Sequence, residues 1–470
     1  MNGFGQGFRW GVATSSFQIE GAPHEDGRED SIWDVFCRQP GAIANGDDGS
    51  AGIDHYHRWT EDLDLMAELG IRNYRFSTSW SRVVHADGSR NAPGLDFYSR
   101  LVDGLLERNI EPWLTIYHWD LPASLPGGWT NRDTVSRFTD YAMLLHERLG
   151  DRVRTWTTLN EPWCSAFLGY ASGEHAPGHT DYREAIRAVH HLLLAHGWAT
   201  RALREADAGA KLGITLNLSP TSPAEPTDPR DVDCARRIDG TANRIFLDPL
   251  FRGQYPLDVR EDLAQYWPDD LVREGDQEAI AAPIDVLGVN YYTTEVVAHG
   301  HVGAKAAHDT AVDTENRPSP HPSAPSAQFP PRPQLAKTAM GWSVDPQGLR
   351  HVLGRLHREY TAAAGTEIVI TENGAAYQDA CTGGGRVIDD DRIAYINAHL
   401  DACRQAIGDG VPLRGYLLWT LADNFEWAYG YEKKFGIVSI GAKMARVPKA
   451  SGQWYASVIS SNGAVVRQEA

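Results

Sequence analysis

The sequence predicts a (β/α)8 TIM barrel with long βα loops. Three observations lead there. Short β-rich runs alternate with longer amphipathic stretches from end to end, the pattern of βα units and a parallel sheet. Eight such runs can be counted. No G-x-G-x-x-G or G-x-x-x-x-G-K-[ST] turn follows the first run, as an open doubly wound sheet would usually carry. At roughly 150 residues per domain, 470 residues would permit three domains, but barrels of this class exceed that spacing as one unit. The expectation is one domain over residues 1–470.

In chain order, the candidate strands are 8–14 (FRWGVAT), 73–77 (NYRFS), 112–117 (PWLTIY), 155–159 (TWTTL), 212–216 (LGITL), 286–289 (VLGV), 368–371 (IVIT) and 415–419 (GYLLW). After the first comes a helical stretch at 60–69 (TEDLDLMAEL). It sets Leu63, Met66, Ala67 and Leu69 on one face and its acids early, where the helix dipole favours them. The pattern repeats at 95–107 after the second strand and at 134–149 after the third. Two segments, 219–230 and 318–333, are dense in proline and follow the fifth and sixth strands. Linkers are one reading. Alternation resumes after each, so long βα loops are expected near 219–230 and 295–337, the second edging a pocket mouth.

Composition narrows the partners. The 62 acidic residues outnumber the 44 basic ones, for a net charge of −18. That argues against nucleic acid or an anionic membrane, which would want a basic face. No run approaches the ~18 consecutive apolar residues of a membrane helix. The N-terminus shows no basic start followed by an apolar stretch. Five scattered cysteines (Cys37, Cys164, Cys234, Cys381, Cys403) read as reduced thiols in a cytoplasmic protein. The 15 Trp and 18 Tyr residues offer flat apolar faces with hydrogen-bonding edges, compatible with sugar binding and equally with a large core.

Active residues of such barrels come from the C-terminal strand ends. Here those ends carry Gln18 and Glu20, Arg75 and Ser77, the run Tyr117 to Asp120, Asn160 and Glu161, Asn217, Asn290 with Tyr291 and Tyr292, Glu372 and Asn373, and Trp419 with Glu426 and Trp427 beyond it. Ordinary loops would present Gly, Ser or Lys instead. Glu161 and Glu372 end the fourth and seventh strands and can face each other across the pocket. Either alone is as readily a salt-bridged strand-end acid. Two facing carboxyls suit glycosidic cleavage, one as proton donor and one as nucleophile.

The chain also resembles glycoside hydrolase family 1, the β-glucosidase family. The motifs are FRWGVATSSFQIEGA (8–22), YRFSTSWSR (74–82), YHWDLP (117–122), TLNEPW (158–163), NRIFLDPLFRGQYP (243–256), GVNYYT (288–293), TENG (371–374) and DNFEWAYGYEKKFG (423–436). The resemblance implies a barrel and retaining hydrolysis of a small β-glycoside or oligosaccharide, without metal or cofactor. It implies Glu161 as acid/base and Glu372 as nucleophile. Gln18, His118, Asn160, Glu426 and Trp427 would hydrogen-bond the sugar over the indole floor of Trp419. Arg75 and Tyr292 would partner the nucleophile. Asn290, Trp119 and Phe435 would line the pocket. Terminal β-D-glucosides are the expected substrates, with β-galactosides or β-fucosides as relatives.

Alternatives are a 6-phospho-β-glycosidase, disfavoured because Glu426 would repel phosphate, a transglycosylase, and a non-catalytic sugar-binding homologue, disfavoured because both glutamates are present. His55 with His57, and His190 with His191, have loosely metal-like spacing but are expected to be packing or surface residues. Cys164 follows the acid/base motif and is not expected to be a nucleophile. Asp120 is expected to shape its loop. Ile440, Gly441 and Ala442 depart from the family pattern and are expected to loosen packing near the C-terminus.

Overall fold

Eight strands form the centre of the protein: Arg9–Ala13 (β1), Asn73–Ser77 (β2), Glu111–Tyr117 (β3), Thr155–Asn160 (β4), Lys211–Asn217 (β5), Val286–Asn290 (β6), Glu367–Glu372 (β7) and Leu413–Trp419 (β8). The computed structural model describes residues 4–300, 317–381 and 387–468. The strands close into a barrel in which each neighbours the next in sequence, and β8 pairs with β1 through Ala13 and Trp419. All pairings are parallel. The predicted barrel is thus the observed one.

Helices follow the strands: His55–Glu68 (α1), Ala92–Glu107 (α2), Asp133–Leu149 (α3), Tyr182–Ala206 (α4), Ile245–Arg252 (α5), Pro346–Leu356 (α6), Asp390–Gly408 (α7) and Ala450–Ser460 (α8). Their apolar faces pack on the strands to make the main core. Helix α1 starts five residues before its apolar period begins. The extra turn is held by tertiary contact: the Tyr56 hydroxyl donates to Asp26 Oδ2 at 2.5 Å, and Arg58 Nη1 donates to the Lys443 carbonyl at 2.8 Å. Among the described residues, no helix is long and apolar enough to cross a membrane.

Inside the barrel, Trp113, Val286, Val369 and Leu417 form an apolar plug. The interior turns polar toward the C-terminal strand ends. Two strand irregularities sit there. Asn160 pairs with Thr215 although Thr157 pairs with Gly213, so β4 has gained one residue on its partner. Asn290 pairs with Glu372 although Val289 pairs with Ile370, so β7 has gained one too. An extra residue bends a strand and re-aims the next side chain. These are the strands that deliver Glu161 and Glu372.

The two proline-dense segments pack on each other. Thr221–Pro223 pairs with Glu295–Val297, and Ala298 bridges to Gln328. Cys234, Ile238, Val297, Ala324 and Ala327 form a small core beneath them. Residues 301–316 of the second loop lie outside the described residues, as does the Cys381 side chain. The other four cysteines are unpaired. The expected loosening at Ile440–Ala442 is not found. Val438–Ile440 and Arg446–Pro448 form an antiparallel pair. Arg58 Nη1 donates to the Lys443 and Met444 carbonyls, and Arg446 grips Asp62 of α1 and the Ile53 carbonyl. The turn is pinned to α1 by charged hydrogen bonds.

Gly374 shows why the chain has glycine after Thr-Glu-Asn. A Cβ there would lie 1.7 Å from the Trp419 carbonyl oxygen, where β7 and β8 converge. Backbone cannot swing aside as a flexible side chain can. Gly374→Ala is expected to destabilise the protein by at least ~1–3 kcal/mol, the cost of overpacking. Urea unfolding of the variant against the parent measures it.

Candidate active site

The strand ends open into a cavity of about 820 Å³, toward the upper end of the ~300–1,000 Å³ usual for small-molecule sites. Glu161, Glu372, His118, Asn290, Tyr292, Trp419, Glu426, Trp427, Trp119 and Phe435 reach its wall, all of them expected from sequence. Gln18, Arg75 and Asn160 stand behind the wall, fully buried.

Arg75 organises the floor from β2. Its Nη1 donates to Glu372 Oε1 at 2.6 Å, and its Nη2 donates to Asn160 Oδ1 at 2.7 Å. The Tyr292 hydroxyl donates to the other oxygen of Glu372 at 2.7 Å. Guanidinium only donates, so the Asn160 oxygen must face it. The Asn160 N–H then meets His118 Nε2 at 3.0 Å. That nitrogen accepts, which places the imidazole proton on Nδ1. Burial, then the Arg75 charge, pushes His118 well below the usual histidine range, so the ring is neutral. Its Nδ1 is buried without a protein partner, leaving a donor for a ligand.

Glu161 has φ +45°, sparsely populated for a residue with a side chain. Asn290 Nδ2 donates to its Oε1 at 2.6 Å and to Asn160 Oδ1 at 3.1 Å. Thr371 Oγ1 donates to the Asn290 oxygen at 2.8 Å, which fixes that amide. Cys164 Sγ lies 3.3 Å from Glu161 Oε2.

The two carboxyls are not equivalent. Burial, and then the charge of Glu372, pushes Glu161 up to about 8, against smaller opposing effects of Asn290, Cys164 and Arg75. Burial also raises Glu372, but Arg75 and the Tyr292 hydrogen bond oppose it directly. Glu372 is still raised overall, but the balance favours the proton on Glu161 and the charge on Glu372. Glu426 is pushed up to about 8 by burial and by the charges of Glu372 and Glu161. Its repulsion of phosphate is accordingly weaker than the sequence suggested.

Gln18 is committed on both sides. Its Nε2 donates to the Phe425 carbonyl at 2.7 Å and its oxygen accepts from Ser15 Oγ at 2.6 Å. It ties β1 to the loop that presents Glu426. The Trp119 indole N–H is likewise spent on the Asn160 carbonyl at 3.0 Å. Trp427 stacks on Phe17 with the planes 9° apart and contacts Trp33 and Trp119 at 4.5 Å between centroids. Trp33, Trp80 and Trp156 are buried core.

Asp120 accepts from Ser16 Oγ at 2.9 Å and is pushed up to about 8 by burial. His57 is held by Asp54 and Glu25, His190 by Tyr255 and Asp276, and His191 by the Trp129 carbonyl. All are engaged in protein contacts. Sequence reasoning missed Glu174 and His175 of the outer wall, which sit on a loop whose course no local periodicity encodes, whereas Arg317 and His321 lie on the proline-rich loop that was expected to edge the pocket mouth.

A closed parallel barrel presenting two unequal buried carboxyls and one guanidinium at its C-terminal face, within a pocket of aromatic rings and amides, is the architecture of a glycoside hydrolase. Comparison makes this specific. The chain belongs to glycosyl hydrolase family 1, whose model matches residues 1–464. It is 49% identical to the thermostable beta-glucosidase B of Thermobispora bispora, covering 98% of this chain and 91% of that protein. It is 44% identical to a bifunctional beta-D-glucosidase/beta-D-fucosidase of Bifidobacterium breve, covering 98% and 99%. The crystal structure of a psychrophilic beta-glucosidase from Micrococcus antarcticus superposes with a TM-score of 0.94 at 50% identity, covering 98% of both chains.

Arg75 is the sole guanidinium hydrogen-bonded to Glu372 among the described residues. Arg75→Gln is expected to move the Glu372 titration upward, because the removed charge favours the ionised form. Difference infrared spectroscopy of the carboxylate band against pH reads the shift.

Proposed function

We propose that the protein is a retaining β-glycosidase acting on terminal β-D-glucosides, with β-galactosides or β-fucosides as further substrates. The observation that carries this reading is the unequal surroundings of two buried carboxyls, Glu372 held by the Arg75 guanidinium and the Tyr292 hydroxyl and Glu161 by the neutral Asn290 amide. Glu372, ionised against Arg75 and Tyr292, attacks the anomeric carbon. The bond to the aglycone oxygen breaks as Glu161 gives that oxygen its proton. A covalent glycosyl-Glu372 ester remains. Glu161, now ionised, takes a proton from water. The resulting hydroxide oxygen attacks the same carbon and Glu372 leaves as carboxylate. Two inversions give net retention.

The pocket supports the substrate class. Neutral His118 offers Nδ1–H, Glu426 offers a carboxyl, and Trp419 offers a ring face to the C–H side of a pyranose. A site built to pair hydroxyls rejects analogues lacking them by as much as ~10⁴–10⁵. The relative from B. breve, named for both glucosides and fucosides, supports some tolerance in the sugar. We read residues 1–470 as one domain. The acidic net charge supports a small neutral glycoside and not nucleic acid, and the unpaired thiols support a cytoplasmic setting.

Two outcomes test the roles. Glu372→Ala should lose hydrolysis and, with azide and an activated aryl glucoside, form the α-glucosyl azide; a β-azide would remove Glu372 as nucleophile. Glu161→Gln should slow glucosides of poor leaving groups by the ~10²–10⁴ ascribed to general acid catalysis. It should spare the burst of glycosyl-enzyme from activated aryl glucosides, and equal loss on both classes would contradict the acid role.

A further inference from the structure

Cys164 touches the Glu161 carboxyl, and the reaction above has no use for its thiol. Its backbone N–H donates to the Glu161 carbonyl at 3.0 Å, so the helical turn after β4 brings the thiol back onto the carboxyl. Sγ lies 3.3 Å from Oε2, while Asn290 occupies Oε1 at 2.6 Å. The thiol is 7% exposed and faces the cavity. Behind it pack Phe17, Trp33, Trp119 and Trp427.

We propose that Cys164 is a positioning residue for Glu161, its S–H donating to Oε2 to hold the carboxyl plane and to favour the ionised carboxylate in the second half of the reaction. The proposal rests on the reading of Glu161 as acid/base.

The chemistry of the thiol fits. Burial and the surrounding carboxylates Glu161, Glu372 and Glu174 push Cys164 well above the usual thiol range. It stays a donor and is a poor nucleophile. S–H is also a weak donor. Glu161 must be neutral in one step and ionised in the next, so a strong cationic partner would trap it as carboxylate. Asn290 and the thiol both bias Glu161 toward charge, the amide more than the weakly donating thiol. The positive φ of Glu161 gives it little help from a relaxed backbone, so side-chain contacts must aim it.

The other groups that bear on Glu161 are known. Glu372 and Tyr292 face it from the ends of β7 and β6, Arg75 from β2, and Glu426 from beyond β8. His118, at the end of β3, is neutral. None of them is covalently altered by replacing Cys164, so a shift of the limbs reads the thiol's own contact.

The test uses the full-length enzyme with p-nitrophenyl β-glucoside. In Cys164→Ala and Cys164→Val, which lack the donor, the alkaline limb of kcat/KM should move up by about half a pH unit, the scale of one weak hydrogen bond to a charged group. Under deglycosylation-limited conditions the acidic limb of kcat should move up as well, because the base ionises later. Cys164→Ser, which keeps a donor, should return both limbs toward the parent. A folded donorless variant whose limbs coincide with the parent's overturns the proposal, whatever its stability. A wild-type alkaline limb that persists in Glu161→Gln would instead overturn the acid/base reading of Glu161.

Discussion

The ion pair between Arg75 and Glu372 is the interaction on which the rest of the site depends. Both groups are buried, the guanidinium completely. Taking two charges out of water is costly, and such a pair often stabilises a fold less than apolar packing would. What it supplies here is direction. Arg75 faces Glu372 with one nitrogen and the Asn160 oxygen with another. The second contact sets the Asn160 amide, the amide sets the His118 tautomer, and the first contact sets which carboxyl bears the charge. Removing Arg75 would leave an unpaired buried carboxylate and release three orientations at once.

A second buried network holds the far wall. Lys449, fully buried, pairs with Asp423 at 2.8 Å and with Asp379. Arg392 pairs with Asp389 and Asp379 and donates to the Lys434 carbonyl. Asp423 also accepts from the Gly436 N–H at 2.9 Å. These contacts bracket the loop that presents Glu426, Trp427 and Phe435. Gln18 meets the same loop from β1. The groups proposed to face the sugar beyond β8 are thus fixed from both sides, which would leave little to reorganise on binding.

The barrel was legible because its signal is repetitive. Strands such as 73–77 and 286–289 alternate with amphipathic helices, and eight repeats average out local errors. Boundaries erred where tertiary contact outweighed local pattern, as in the first turn of α1. The inner site was legible because strand ends inherit their position from the barrel and the motifs mark them. The extra residues in β4 and β7 were invisible, since a register shift belongs to a pair of strands and not to one. Gln18 and Trp119 were readable as site residues, but their commitment to backbone carbonyls was not. Of the outer wall, the proline-rich loop that carries Arg317 and His321 was readable as a segment at the pocket mouth, but Glu174 was not, because it comes from a loop with no period. The aromatic surplus pointed to sugar, yet much of it is packing: Trp33 and Trp156 never reach the cavity.

The charge balance at the inner end of the pocket explains how three carboxyls work beside the one guanidinium that pairs with them. Glu161, Glu372 and Glu426 share the inner end, and among the described residues Arg75 is the guanidinium hydrogen-bonded to one of them, while Arg317, Arg332 and Lys337 line the outer wall. Two of the three carboxyls hold protons near neutrality, as the values near 8 for Glu161 and Glu426 indicate. In the proposed reaction, forming the glycosyl ester erases the charge on Glu372 while the loss of a proton creates one on Glu161. The pocket keeps the same net charge and only its location moves. Arg75 favours the ionised form of both residues. Neither half of the reaction therefore needs an ion from solvent to balance it. A second fixed cation would break this economy by holding Glu161 ionised from the start, and with it the acid step would fail.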